Sequence, residues 1–311
     1  MKTLLVDSSY LTYRSYFAFP NFRTEGKHTG AIYGYIRAVL GIVEEYQIER
    51  IVFALDLPGK TWRHETYDGY KAGRPPMDES MKEQIPIVQN WSRDVSPYVL
   101  SQVGYEADDM ICSVIETQPE NDYFILSSDR DLYQLFTNNN VTVLKGKVGG
   151  YIEYGAREFV EEFGIQPEQY TDYKALVGDG SDNIKGVPGI GPKTAKKLLQ
   201  GIGSLKKLYE TMNWVVPACF KTHSLTIDPS TFIGDVKNIE LLSKIYNNTE
   251  SLELAYRLST LHCVSVEVGE EGFDFEKGYH VYEEYQFKSL LKKTSDKKPK
   301  PIDPVENGAL F

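Results

Sequence analysis

Several short apolar runs in this chain end directly on an aspartate, and that arrangement limits the fold more than any other feature. LLVD closes at Asp7, IVFALD at Asp56 and YFILSSD at Asp129. Each run has the length of a strand, is rich in β-branched or aromatic residues and lacks polar alternation, as in a strand buried on both faces. Helical patterns separate them, GAIYGYIRAVLGIVEEY over about 30–46 and EADDMICSVIE over 106–116. Alternating strands and helices predict a mostly parallel α/β sheet covered on both faces. In such sheets the ligand site lies beyond the carboxyl ends of the strands. Three separate strands would then bring carboxylates to one edge.

Nine acids fit this scheme: Asp7, Asp56, Glu106, Asp108, Asp109, Asp129, Asp131, Asp179 and Asp182. Gathered in one site, they could not all stay ionised without counter-charge. Hard divalent cations with oxygen ligands are the natural relief, which points to metal-assisted chemistry on a phosphate ester. Singly, the clusters have plainer readings. Acids in a first helical turn, such as Asp108 and Asp109, complement the helix dipole, and loop aspartates such as Asp179 and Asp182 in GDGSDN serve turns. Taken together, the clusters favour the metal.

The formal net charge of −10 looks wrong for a nucleic-acid partner, because phosphate binding usually needs a basic surface. Of the 44 Asp and Glu residues, however, nine are the candidate ligands, and the remaining 35 face 34 Lys and Arg. Acidity therefore does not exclude DNA or RNA; it implies binding that depends on metal. No run of about 18 apolar residues occurs, so no membrane span is expected, and the start MKTLLVDSSYLTYR is no secretory signal. Cys112, Cys219 and Cys263 are odd in number and widely spaced, which fits reduced cysteines in a cytoplasmic protein. The five histidines show no zinc-ligand spacing.

Two further stretches carry chemistry. In Val187-Pro188-Gly189-Ile190-Gly191-Pro192-Lys193-Thr194-Ala195, two glycines flank an apolar residue and Pro192 suits a first helical position. Such a hairpin offers backbone N–H groups to an anion, and Lys193, Lys196 and Lys197 add charge suited to phosphate contact. A tight helix–helix turn with a solvated lysine face is the plainer alternative. In Trp62-Arg63-His64-Glu65, followed by Tyr67, Tyr70, Lys71 and Arg74, basic residues interleave with aromatics, as in single-strand binding. An Arg or Lys there could also clamp a scissile phosphate; an ordinary solvated loop is the alternative. From about residue 156 the pattern turns helical, the stretch 212–236 follows no clear pattern, and the end SDKKPKPIDPVENGALF reads as a disordered tail.

The order Asp7, Asp56, YKAGR, GYEADD, SSDRDLYQL, LVGDGSDNIKGVPGIGPKTA resembles the 5′→3′ exonuclease and flap endonuclease family. The likeness is greatest to the N-terminal nuclease domain of bacterial DNA polymerase I and to stand-alone phage 5′ nucleases. It runs from Met1 to about Gln200 and resumes near Ala255–Leu261 and Tyr282–Lys292. The resemblance implies a PIN-like core over 1–175, with a helical arch or gateway at about 75–98. An amphipathic structural helix is an equal reading of that last segment. A helical DNA-binding region over 176–292 would include a helix-three-turn-helix at about 183–202, with the tail at 293–311.

By the same resemblance, Asp7, Asp56, Glu106, Asp108 and Asp109 would hold a first metal, and Asp129, Asp131, Asp179 and Asp182 would hold or orient a second. The ions implied are two Mg²⁺, replaceable by Mn²⁺, with K⁺ at the hairpin. Lys71, Arg74 and Arg63 would stabilise the transition state, and Tyr70 would stack near the substrate. Gly189, Gly191, Lys193, Thr194, Lys196 and Lys197 would grip DNA. The expected activity is two-metal cleavage near DNA 5′ ends, flaps and nicks, extending to RNA primers, by a monomer. A PIN-type ribonuclease and a catalytically silent junction-binding protein are the alternatives. The last residues, ending Leu310-Phe311, resemble peptides that dock on the sliding clamp of bacterial replication; a disordered end without function is the plainer reading, because the usual Gln is absent.

Overall fold

The computed structural model describes residues 1–138, 140–212 and 239–295. Leu310 and Phe311, the tail beyond Ser295 and most of the stretch 212–236 lie outside the described residues. The chain begins with β1 (Lys2–Asp7), α1 (Ser8–Ala18), the short hairpin β2 (Arg23–Thr24) and β3 (Lys27–His28), then α2 (Gly30–Tyr46) and β4 (Arg50–Ala54). It continues with α3 (Trp62–Thr66), α4 (Glu79–Lys82), α5 (Ile85–Val95), β5 (Val99–Leu100), α6 (Ala107–Thr117) and β6 (Asp122–Leu126). A 3₁₀ segment (Arg130–Thr137) leads to β7 (Val141–Lys147), β8 (Gly150–Tyr154) and α7 (Ala156–Phe163). The last part comprises α8 (Tyr170–Val177), β9 (Gly178–Asp179), β10 (Ile184–Lys185), α9 (Pro192–Ile202) and α10 (Leu205–Thr211). After the gap come α11 (Ile239–Asn247), α12 (Thr249–Ser259), α13 (Tyr279–Glu284) and α14 (Lys288–Ser295). None of the described helices is long and apolar enough to cross a membrane.

Six strands form one sheet in the order β5-β4-β1-β6-β7-β8, parallel except for the β7–β8 pair. The mostly parallel sheet with helices on both faces is the fold class the sequence predicts. Successive side chains of a strand point to opposite faces, so Leu4 and Val6 enter one core while Leu5 enters the other. The first core joins α1, α2 and α5 to the sheet through Leu11, Tyr35, Ile36, Phe53 and Trp91. The second gathers α6, α8, α9 and α12 on the opposite face. Burial on both faces is why the strand sequences show no polar alternation.

Two expectations change here. The span 75–98 is not an open arch throughout: α5 buries Val88, Trp91 and Val95 against the sheet. Its apolar residues at helical spacing make it a layer of the core, which is the amphipathic reading of that segment. Cys112 and Cys263 are paired, with Cα atoms 5.4 Å apart, not reduced. The strap after α12 folds back along α6, so a separation of 151 residues becomes contact.

The switch point of the sheet is β1, which pairs with β4 on one side and β6 on the other. Beyond it, on the far side of α8, β9 and β10 pair antiparallel around the turn that carries Asp179 and Asp182. Glycine is required there. A Cβ on Gly178 would lie 2.4 Å from the Gly186 nitrogen, and one on Gly186 would lie 2.3 Å from the Val177 carbonyl carbon. The chain can cross itself so closely only without side chains.

Candidate active site

Asp7 ends β1 and caps α1, its Oδ1 accepting the Tyr10 N–H at 3.0 Å. Its Oδ2 accepts the Ser127 hydroxyl at 2.8 Å, just past the end of β6. Asp56 lies two residues past β4, and its Oδ1 accepts the Ala107 N–H at 2.8 Å, which joins that strand end to the start of α6. Asp108 stands in the first turn of α6, and Asp129 caps the following 3₁₀ segment by accepting the Asp131 N–H at 2.8 Å. Among the described residues, Asp7, Asp56 and Asp129 ion-pair with no Lys or Arg, and Asp108 has only Arg63 at 3.7 Å.

The electrostatics follow. Burial first, then the Asp56 charge and to a smaller extent Asp129, push the Asp7 carboxyl up to about 7, against hydrogen bonds from Tyr10 and Ser127. Burial pushes Asp108 well above the usual carboxylate range; Arg63 opposes this, while Asp109, Glu106 and Asp129 add to it. Asp7 and Asp108 thus sit with the exposed Asp56 and Asp129 in a set of like charges short of positive charge.

The other acids have partners. The Lys174 ammonium on α8 ion-pairs with Asp131 and lies 2.8 Å from Asp179 Oδ2. Burial opposes the charge on Lys174, but Asp131 and Asp179 outweigh it and hold the ammonium well above its ordinary range. The two carboxylates respond differently. The more deeply placed Asp131 is pushed up to about 6 by burial despite Lys174, whereas at Asp179 burial is outweighed by Lys174 and Ser181, which bring it down to about 2. Asp182 Oδ1 accepts from Arg74 at 2.8 Å, and its Oδ2 accepts from the Tyr70 hydroxyl at 3.2 Å. Glu106 accepts from Lys71 at 2.9 Å, Tyr70 at 2.9 Å and Arg63 at 3.1 Å.

Several residues stand elsewhere than the sequence suggested. Arg63, expected beside the scissile phosphate, is 1% exposed. It forks onto both oxygens of Asp109 at 2.9 Å and donates to the carbonyls of Leu258 and Thr260. A guanidinium with its donors so engaged orients its neighbours. Asp109, expected as a metal ligand, is fully buried; besides Arg63 it accepts the N–H groups of Glu106 and His262. Its lone pairs are used internally. Tyr70, expected to stack on substrate, is buried with its hydroxyl between Glu106 and Asp182. Burial and the Glu106 charge keep that phenol neutral, as a donor.

Lys71 takes a left-handed backbone (φ 55°) as its N–H reaches the Asp182 carbonyl at 3.0 Å. On α9, Lys193, Thr194 and Lys197 are exposed, whereas Lys196 turns back onto α7, donating to the Glu162 carbonyl at 3.1 Å over the Phe163 ring. Gly189 and Gly191 are exposed in the hairpin before Pro192, the first residue of α9. Lys174 was missed by the sequence reading. Its one signal was a lone lysine in an otherwise largely apolar run, KALVG, that leads into Asp179.

Among the described residues, no three carboxylate, imidazole or thiol side chains are drawn together tightly enough to form a ready-made metal cage. The donor set still suits a divalent cation. Asp7, Asp56, Asp108 and Asp129 offer carboxylate oxygen only, on the carboxyl edge of the sheet, with their mutual repulsion unrelieved. Hard cations such as Mg²⁺ or Mn²⁺ take such ligands.

Residues 2–164 match the family model described as 5′-3′ exonuclease, N-terminal resolvase-like domain. Residues 165–278 match that described as 5′-3′ exonuclease, C-terminal SAM fold. A 5′-3′ exonuclease of Aquifex aeolicus is 31% identical over 306 residues, covering 94% of this chain and 95% of that protein. The thermostable DNA polymerase I of Thermus thermophilus is 32% identical over 297 residues, 93% of this chain. The match covers 32% of that polymerase, so the chain spans about a third of its length. Among solved structures, the T5 D15 protein co-crystallised with metal ions has a TM-score of 0.64 at 20% identity, over 84% of this chain and 90% of that one. The catalytic core of Rad2 in complex with DNA substrate has a TM-score of 0.57 at 18% identity, over 95% of this chain and 90% of that one. At such identities the two structures speak for the fold alone.

Proposed function

We infer that this chain, which belongs to the 5′-3′ exonuclease family, hydrolyses phosphodiesters near the 5′ end of DNA, as a 5′→3′ exonuclease and 5′-flap endonuclease. RNA primers paired to DNA fall within the same reading. The observation that carries it is the set Asp7, Asp56, Asp108 and Asp129, gathered at the carboxyl edge of the sheet without an adequate counter-cation, with burial and like charges raising Asp7 and Asp108. Such a set is costly unless a cation completes it. The 5′-3′ exonuclease of Aquifex aeolicus, matched over nearly its whole length, supports the same reading.

Divalent ions, Mg²⁺ or Mn²⁺, would be held by these acids and would supply charge neutralisation at the phosphate and a more acidic water. The protein's own groups do the rest. Arg74 reaches the site from an exposed side chain, so its guanidinium can meet a phosphate oxygen at little desolvation cost. Lys71 stands beside it, steadied by Glu106. Arg63 and Tyr70 hold Asp109, Glu106 and Asp182 in place from the interior. Lys193 and Lys197 on α9, with the hairpin N–H groups, would grip the duplex backbone without reading bases. Selectivity should then follow the shape of the junction.

The test compares wild type with Asp129→Ala and Asp182→Ala on a 5′-flap substrate in Mg²⁺, with the label at either end. Loss of cleavage in both is expected, and undiminished cleavage in both would overturn the reading.

A further inference from the structure

Lys174 is 4% exposed, and both of its carboxylate partners, Asp131 and Asp179, belong to the acids read above as second-ion ligands. The ammonium therefore fills the point on which these two side chains converge, where a second divalent ion would have to bind. The geometry around it is stiff. Tyr170, Ala175 and Leu176 bury α8 in the core, so the lysine stem is fixed at its root. Asp131 is braced by its own N–H donating to Asp129, and Asp179 accepts the Ser181 N–H at 2.8 Å. Asp182 has a similar guard in Arg74 and Tyr70. Across the site, among the described residues, Asp7, Asp56 and Asp129 have no such cation.

We propose that Lys174 is a built-in counter-cation that keeps a divalent ion off the Asp131–Asp179 pair, so that divalent ions load first on the strand-end carboxylates and only weakly on the second group. The proposal rests on the metal reading given above. A divalent ion entering between Asp131 and Asp179 must displace a charge already hydrogen-bonded to both. An ion at Asp7, Asp56 and Asp108 displaces no such group and relieves repulsion. Lys174 thereby sets the gap in affinity between the two halves of the site.

The test uses Mn²⁺ and the full chain without DNA, with free Mn²⁺ measured by electron paramagnetic resonance and the melting temperature followed in parallel. Wild type should bind Mn²⁺ in two steps, the second at least about tenfold weaker, a gap of about 1.4 kcal/mol. Lys174→Met should tighten the second step by at least about tenfold while the first stays unchanged. Lys174→Arg, which keeps the charge, should stay weak at the second step. Metal-free Lys174→Met should melt lower than wild type, and Mn²⁺ should restore its melting temperature. A second step at wild-type affinity or absent in Lys174→Met, or a variant that stays unfolded in Mn²⁺, would overturn the proposal and leave Lys174 a structural pin. No Mn²⁺ binding by wild type would instead overturn the metal reading itself, so the two failures are distinguishable.

Discussion

The strand-end carboxylates and the carboxylates around α8 carry the same charge in different company. Asp7, Asp56 and Asp129 lie beyond parallel strands and are steadied by backbone N–H groups and a serine hydroxyl, none of which brings a full positive charge. Asp131, Asp179 and Asp182 are met by Lys174 and Arg74. In the first group burial and the Asp56 charge raise the Asp7 carboxyl, and the group is open to a cation from solution. The second is already largely offset by the protein's own Lys174 and Arg74. Local backbone geometry can place acids side by side, but only a long side chain from another element can cancel them.

This contrast can be broken most severely at Asp7. Asp7→Asn should lower flap cleavage at least about 100-fold, beyond the roughly 10–100-fold that supporting partners of metal ligands cost. The same change should stabilise the metal-free protein by about 1 kcal/mol, because it removes a buried like charge. Cleavage assays and thermal melts without metal check both signs. A destabilised metal-free variant would mean that the strand-end group is not under repulsion.

Arg63 tests the interior support. Arg63→Met should destabilise the fold by about 3–5 kcal/mol, because Asp109 would be left buried without its fork. Arg63→Lys should recover only part of this, since an ammonium cannot span both Asp109 oxygens. Denaturant unfolding gives the values, and a wild-type midpoint for Arg63→Met would return Arg63 to the list of substrate-facing residues.

Asp172 is the control outside the site. It is buried in α8 and accepts the Leu205 N–H at 3.2 Å, and burial pushes its carboxyl from 3.8 up to about 7 despite that bond. The fold therefore favours the protonated form. Its contribution is intact below about pH 4, where the unfolded chain is also protonated, and is lost as pH rises through about 7. Asp172→Asn keeps an acceptor and cannot ionise. It should match wild type near pH 4 and exceed it by about 1–3 kcal/mol at pH 8. A difference that does not change between those pH values would show that Asp172 does not titrate in this range.

The sequence was most legible where the signal is local and periodic. The helical pattern over 30–46 became α2 with the same bounds, and the three apolar runs became the parallel strands β1, β4 and β6. Their terminal aspartates reached one edge because a parallel sheet leaves the strands no other arrangement. The roles of Arg63, Tyr70 and Lys196 were not legible. Each sits in a basic and aromatic or lysine-rich stretch that reads as surface, yet each finds its partners far along the chain; Arg63 reaches the Leu258 carbonyl, 195 residues away. Lys174 stayed hidden because a single lysine in a helix gives no hint of what faces it.

By itself, then, the sequence determined the sheet, the edge on which the acids meet and the family resemblance, all of which depend on near neighbours and their order. The tertiary structure decided which of those acids are neutralised. Charge compensation acts through space, over a few ångströms, between side chains whose separation along the chain carries no information about their contact.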